Sequence, residues 1–324
     1  MHQPRPAEDF GCKFVAPVTS AGPAREPPPP AKLNSKMTTS EAFAAIVGAC
    51  ASQIAFHAPL VRHQGEVEDV HQMRVAVRKL RAALSTFRKM MAGQRLYFED
   101  DLRWLQDKLG AVRDWDVFRK NAVQPIEGED SDVALVDEAS AKSRAEAYRE
   151  LCQALDSARC TTLWLAITRW LHSLARGRFT DDQSDQPIVK YAKREPRRRD
   201  RKLMKRGRHI AALKEDELHK LRIGAKKLRY AAEFFRDLYP KKELKRALKS
   251  MKGLQDLLGD LNDIRTCRTL LERLEPRRGL SQSVIALAHG DGLVEGAVIV
   301  RAKTRRQQLE RKWRNYAKTT KPWD

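Results

Sequence analysis

Two stretches of this chain share one layout, VHQMRVAVRKLRAALSTFRK at 70–89 and LHKLRIGAKKLRYAAEFFRD at 218–237. A histidine opens each, arginines or lysines follow at fixed offsets, and apolar residues recur between them at helical spacing. The register is constant, since His71 and His219 lie 148 residues apart, as do Phe87 and Phe235. One basic amphipathic stretch constrains a fold little. Two in register require a chain built as two like halves, each providing a core for its own copy.

At about 100° per residue, Met73, Val77, Leu80, Leu84 and Phe87 share a sector of roughly 80°, the buried stripe of an amphipathic helix. His71, Arg74, Arg78 and Arg81 share an adjacent sector and form one basic ridge. In the second copy Leu221, Ala225, Leu228, Ala232 and Phe235 form the stripe. His219, Arg222, Lys226 and Arg229 form its ridge, with Lys79 and Lys227 to the other side of each. No acidic residue interrupts either ridge, although opposite charges at i,i+4 normally stabilise a helix surface. A solvated face explains basic charge but not a histidine at one repeated offset. An anion-holding surface explains both, and arginine's planar fork suits paired phosphate oxygens.

The next segments repeat as well: WLQDKLGAVRDWDV from Trp104 matches GLQDLLGDLNDIRT from Gly253 after a one-residue adjustment. Capping and breaker signals complete the outline. Thr38 and Glu41 form a capping box for a first helix ending near His57 to Pro59. Glu68 and Asp69 open the second, where their charge complements the helix dipole, and Asp216 and Glu217 correspond to them. A third helix spans about Leu96 to Ala122, QPIEGEDSD breaks the chain, and one long fourth helix spans about Val133 to Leu174. After the linker GRFTDDQSDQP, four more are expected at about Ile188–Arg208, Asp216–Leu238, Lys241–Leu274 and Ser281–Lys318. The fold class is all-α, with two similar four-helix bundles from an internal duplication, related by a pseudo-two-fold. Residues 1–37, with AREPPPPAKLNSK, read as a flexible Pro-rich leader; 38–324 form the domain, its halves at about 38–180 and 187–324.

Composition agrees with long helices: 42% hydrophobic, 32% charged and 7% aromatic. The formal net charge of +21 implies polyanionic partners. Cys12, Cys50, Cys152, Cys160 and Cys267 form no C-x-x-C pair, which favours a reducing, cytoplasmic setting over a zinc knuckle or disulfide framework. No apolar run approaches the roughly 18 residues of a membrane span, and no secretory-type apolar core opens the chain. His57, His63 and His71 lack metal-ligand spacing. Neither a P-loop, an oriented nucleophile nor a paired-carboxylate site is present, so no enzyme, cofactor or metal is expected.

The motifs VHQMRVAVRKLRAAL, LGAVRDWDV, ELHKLRIGAKKLRYAAEFF, LQDLLGDLND and KPWD together resemble the CHAD family, the conserved histidine α-helical domain, over about 38–324. The resemblance implies two four-helix bundles whose basic helices line a central cavity that binds inorganic polyphosphate, and delivery of the protein to polyphosphate granules. Carried over by position, it names His71, Arg74, Arg78, Lys79 and Arg81 in one copy and His219, Arg222, Lys226, Lys227 and Arg229 in the other. Arg113 adds a marginal contact, while Asp114 and Asp263 are expected to be structural. The CYTH triphosphatase often found beside this family would need a Glu-x-Glu-x-Lys strand, but Glu66 and Glu68 are followed by Val70. The alternative partner is nucleic acid, suggested by the basic run YAKREPRRRDRKLMKRGRH at 191–209. That run holds one aromatic residue, whereas single-strand binders stack bases on several.

Overall fold

The computed structural model describes residues 26–63, 65–91, 96–126, 128, 130–175, 186–274 and 282–324. Among these the chain is all-helical, with one isolated β-bridge between Thr38 and Pro187. The helices are α1 Thr39–His63, α2 Val67–Thr86, α3 Glu99–Phe118, α4 Ser131–Asp156, α5 Ala158–Ala175, α6 Ile188–Arg206, α7 Glu215–Phe234, α8 Lys241–Leu274 and α9 Gln282–Lys318.

Several boundaries have a local cause. Thr38 Oγ1 accepts from the Glu41 amide at 3.2 Å and Glu41 Oε2 accepts from the Thr38 amide at 2.8 Å, the reciprocal cap that starts α1. The helix runs through Pro59 to His63, past its expected end. Tyr148 of α4 donates to the Val61 carbonyl at 2.5 Å and supplies a partner for the last turn. Gly65 then turns the chain at φ +64°, where a Cβ would lie 2.5 Å from the Tyr148 hydroxyl, so conformation and space both require glycine. At the end of α3 the expected continuation to Ala122 becomes a π-helical turn, Arg119–Val123, and a 3-10 turn, Gln124–Ile126. The Arg119 guanidinium grips Asp137 of α4 there at 2.7 and 2.8 Å.

The long fourth helix of the sequence reading is two helices. Ser157 adopts extended backbone (φ −73°, ψ 152°), its hydroxyl donates to the Ala154 carbonyl at 2.7 Å, and it accepts from the Cys160 amide at 3.2 Å. The serine closes α4 and caps α5. Four plus four helices therefore becomes five plus four among the described residues.

Helix α1 also departs from the expectation that no segment could span a membrane. Its length and a mean hydropathy of 1.5 over 18 residues suffice for that. Here Phe43, Ile46, Val47, Cys50 and Ile54 are buried, and α1 packs against α2 and α5.

Neighbouring helices pack in sequence, α1 to α4 and α6 to α9, and the two sets meet where α1 packs on α6, α2 on α7, α3 on α8, and α4 on both α8 and α9. Phe87 and Phe235, which follow the last residues of α2 and α7, meet edge to face at 5.9 Å. Tyr191 of α6 stacks on Phe87 at 5.0 Å and Phe43 of α1 lies 4.8 Å away. A second apolar cluster, including Trp115, Phe118, Val133, Leu270 and Val294, joins α3, α4, α8 and α9. Residues 1–25 of the expected leader and most of the linker lie outside the described residues. Within the rest of the leader, which is mostly exposed, Leu33 is buried and its amide donates to Asp237 Oδ2 at 3.0 Å.

Candidate anion-binding site

The apolar stripes of α2 and α7 are buried as periodicity requires, with Met73, Val77, Leu80, Leu221, Ala225 and Leu228 each no more than 1% exposed. That burial fixes the rotation of both helices. Because α2 packs against α7, their ridges adjoin, and Arg74, Arg78, Arg222 and Lys226 stand within one another's electrostatic field. All four are half-buried. The Nε atoms of Arg74, Arg78 and Arg222 are buried without a hydrogen-bond partner. Tyr230 bridges the helices, its ring 5.6 Å from the guanidinium carbons of both Arg78 and Arg229.

Burial, then the neighbouring Arg222, Arg78, Arg74 and Arg229, push the Lys226 ammonium down to about 7. Burial likewise holds Arg74 and Arg222 below the ordinary guanidinium value. Two carboxylates offset part of this charge. Asp114 of α3 lies 3.8 Å from Arg74 Nη2, and burial raises its pKa even though Arg74 and Arg222 oppose the shift. Asp263 of α8, beside Arg222, is pushed up to about 6, again mainly by burial. Cations thus outnumber the acids that face them.

The remaining expected residues are distributed around this cluster. His71 adjoins Arg74, Arg78 and Arg113; burial first and Arg113 second lower its pKa, and its Nδ1 has no hydrogen-bond partner. Arg113 also faces Asp116 at 3.8 Å, a buried carboxylate to which Arg144 donates at 3.0 Å. His219 differs from His71, since its Nδ1 pairs with Asn262 Oδ1 at 2.7 Å, and Asn262 occupies the repeat position of Arg113. Arg81 lies beside Arg103, Asp107 and Glu99 of α3, and Lys227 lies beside Arg81 and beside Arg199 and Arg206 of α6. Lys79 points elsewhere, toward Cys50 on α1. Arg229 pairs with Glu233 at 3.3 Å.

Sequence reasoning passed over Tyr230, although its position eight residues after Arg222 places it near the ridge. A concavity of about 240 Å³ between α7, α8 and α9 includes His219 and Asn262, and one of about 210 Å³ includes Asp263 and Arg301. The arginines of the α2–α7 seam line neither. Asp130, Asp132 and His289 bring ligand-type atoms within 4.8 Å of one another, but Asp130 already accepts from the Asp132 amide as the cap of α4.

The fold around this half-buried cationic seam is all-α among the described residues. The chain belongs to the CHAD family, whose domain model matches residues 45–272, and no CYTH domain is found. Among solved structures it is similar to the CHAD domain from the plant Ricinus communis, at 28% identity and a TM-score of 0.81, covering 93% of this chain and 99% of that one. PptA from Streptomyces chartreusis shares the fold at 18% identity and a TM-score of 0.60, covering 86% of this chain and 100% of that one. No curated protein matches.

Proposed function

We propose that this protein binds inorganic polyphosphate along the seam between α2 and α7, as a recognition module without catalysis. The observation that carries the reading is the convergence of Arg74, Arg78, Arg222 and Lys226 with guanidinium Nε atoms left unbonded. Like charges confined in a partly desolvated seam destabilise the free protein. A chain carrying negative charge at every repeat would relieve that repulsion along the whole ridge, and the arginine forks suit its non-bridging oxygens. Tyr230 keeps Arg78 and Arg229 apart and oriented.

The same reading takes the two helix sets as duplicated bundles about a pseudo-two-fold, supported by contacts between helices of equivalent position and by the meeting of Phe87 with Phe235. Association with polyphosphate granules in the cytoplasm would follow from such binding.

Calorimetry with long-chain polyphosphate tests the assignment. Arg74→Ala with Arg222→Ala is expected to weaken binding by on the order of ten-fold or more, since each removes a charge-assisted contact. Arg311→Ala with Arg314→Ala removes the same formal charge from exposed positions on α9 and is expected to change affinity little. Equal losses in two folded variants, or duplex DNA displacing the polymer at matched charge and salt, would defeat the reading.

A further inference from the structure

We infer that the outer face of α9 between Ile285 and Val300 is a self-association surface, on which a second copy of this chain docks with its own α9 running antiparallel. The inference is independent of what the seam between α2 and α7 binds.

Over this stretch the exposed residues are Ile285, Ala288, Gly292, Leu293, Gly296 and Val300, with His289 beside them. At about 100° and 1.5 Å per residue they occupy a sector of roughly 140° along about 22 Å of helix. Among the described residues of the stretch none on this face is Lys, Arg, Asp or Glu, in a chain that is 32% charged. Ile285 and Val300 are 60% and 66% exposed, apolar side chains whose burial against a partner is favourable. Asp291 and Glu295 lie off the face to one side, where Glu295 accepts from Arg268 of α8 at 2.6 Å.

Packing within one copy does not account for the glycines of this face. Gly290, on the buried side, is required, because a Cβ there would lie 2.4 Å from the Asp132 carbonyl oxygen. A Cβ at Gly292 or at Gly296 would meet nothing within 4 Å. Glycine in a helix interior costs stability relative to alanine, so these two weaken α9 with no packing gain in the single copy. A second helix laid across them supplies that gain, since the missing Cβ atoms let backbones approach closely.

Charge selects the occupant and its direction. At the N-terminal end of the face, His289 Nδ1 lies 2.9 Å from Asp132 Oδ2 and 4.0 Å from Asp130 Oδ2, at the start of α4. Past the C-terminal end, Lys303 is exposed in the same sector. With a two-fold axis between Gly292 and Gly296, position 303 of one copy falls opposite position 285 of the other, about 6 Å along the helix from His289 and its acids. Antiparallel pairing therefore sets the basic end of each copy toward the acidic end of its partner, an isologous contact. A parallel pair would set Lys303 against Lys303. A net charge of +21 on each copy opposes association through charged faces and leaves this uncharged one. One helix face is smaller than the roughly 800 Å² per partner of a stable complex, so the dimer is weak and concentration-dependent.

Sedimentation velocity of the full chain without any polyanion, over about 1 to 500 µM protein, is expected to show a monomer–dimer equilibrium. Leu293→Asp with Val300→Asp alters exposed residues only and should weaken the dimer by on the order of ten-fold or more, with the helical circular dichroism retained. Gly292→Ala with Gly296→Ala should raise the thermal midpoint of dilute, monomeric protein while weakening the dimer. A purely structural role for the glycines does not produce these opposite shifts. Lys303→Glu should weaken the dimer as well, by setting a carboxylate toward Asp130 and Asp132 of the other copy. A monomer across the whole range overturns the inference, leaving the face to another part of the chain or to another protein. A dimer unchanged by the Leu293 and Val300 substitutions overturns it too, by placing the contact on a different face. A dimer that Lys303→Glu leaves unchanged overturns the antiparallel pairing.

Discussion

Lys226 is the residue whose chemistry depends most on its surroundings. Arg222 and Arg229 face it on its own helix, Arg74 and Arg78 from α2, Asp114 from α3 and Asp263 from α8. With its pKa near 7 against an ordinary 10.5, the unfolded chain holds a proton that the fold rejects between those values. Stability from this group therefore rises with pH across that window. A phosphate chain bound as proposed would reverse the preference and restore the ammonium. Binding should take up protons above pH about 7 and tighten as pH falls toward that value. Below about 6, loss of the Asp263 charge should add to the gain. Calorimetry in buffers of different ionisation enthalpy counts the protons. Lys226→Arg should abolish most of the uptake near neutrality while retaining affinity, and an unchanged proton count in that variant would assign the titration elsewhere.

At the scale of elements, α2 and α7 are held in register by the aromatic residues that follow them. Phe87 touches Phe43, Tyr191 and Phe235, and so links α1, α2, α6 and the end of α7. Phe87→Ala would remove a fully buried ring where four elements meet and leave a cavity, with an expected cost of about 3–5 kcal/mol. Urea unfolding should show a lower midpoint at unchanged slope. A loss below about 1 kcal/mol would mean that the helices close over the gap without this ring. Weaker binding in the folded fraction would show in addition that the ridges lose their mutual register.

Across the whole molecule, a chain of net charge +21 needs its few buried carboxylates well matched. Segment Lys321–Asp324 provides one such match. Lys321 reaches Asp200 on α6, its amide donates to Asp324 Oδ2 at 3.1 Å, and fully buried Trp323 lies 5.9 Å from Tyr239. Removing residues 321–324 would leave Asp200 with the Tyr316 hydroxyl and no cation, and would empty the Trp323 site. A loss of about 3–5 kcal/mol is expected, equivalent to a thermal midpoint lower by on the order of 10 °C. An unaltered midpoint would show that the segment is not needed to close the fold.

What the sequence determined by itself was whatever depends on neighbours along one helix. The periodicity of α2 and α7 set their buried stripes and basic ridges, the Thr38–Glu41 cap set the start of α1, and Lys241–Leu274 ran as expected. The break at Ser157 was present as an unread cap, because no glycine or proline marked it. Other features needed partners remote in sequence. Tyr148 carries α1 past Pro59, Asn262 takes His219, Asp114 and Asp263 draw on Arg74 and Arg222, and Glu195 and Asp200 turn inward from a run that looks uniformly basic. Only the packing of α2 against α7 decided that Arg74, Arg78, Arg222 and Lys226 meet while Lys79 faces α1. A helical wheel orders residues around one axis. The distance between two wheels, and which sectors face, is set by how the two buried stripes interlock.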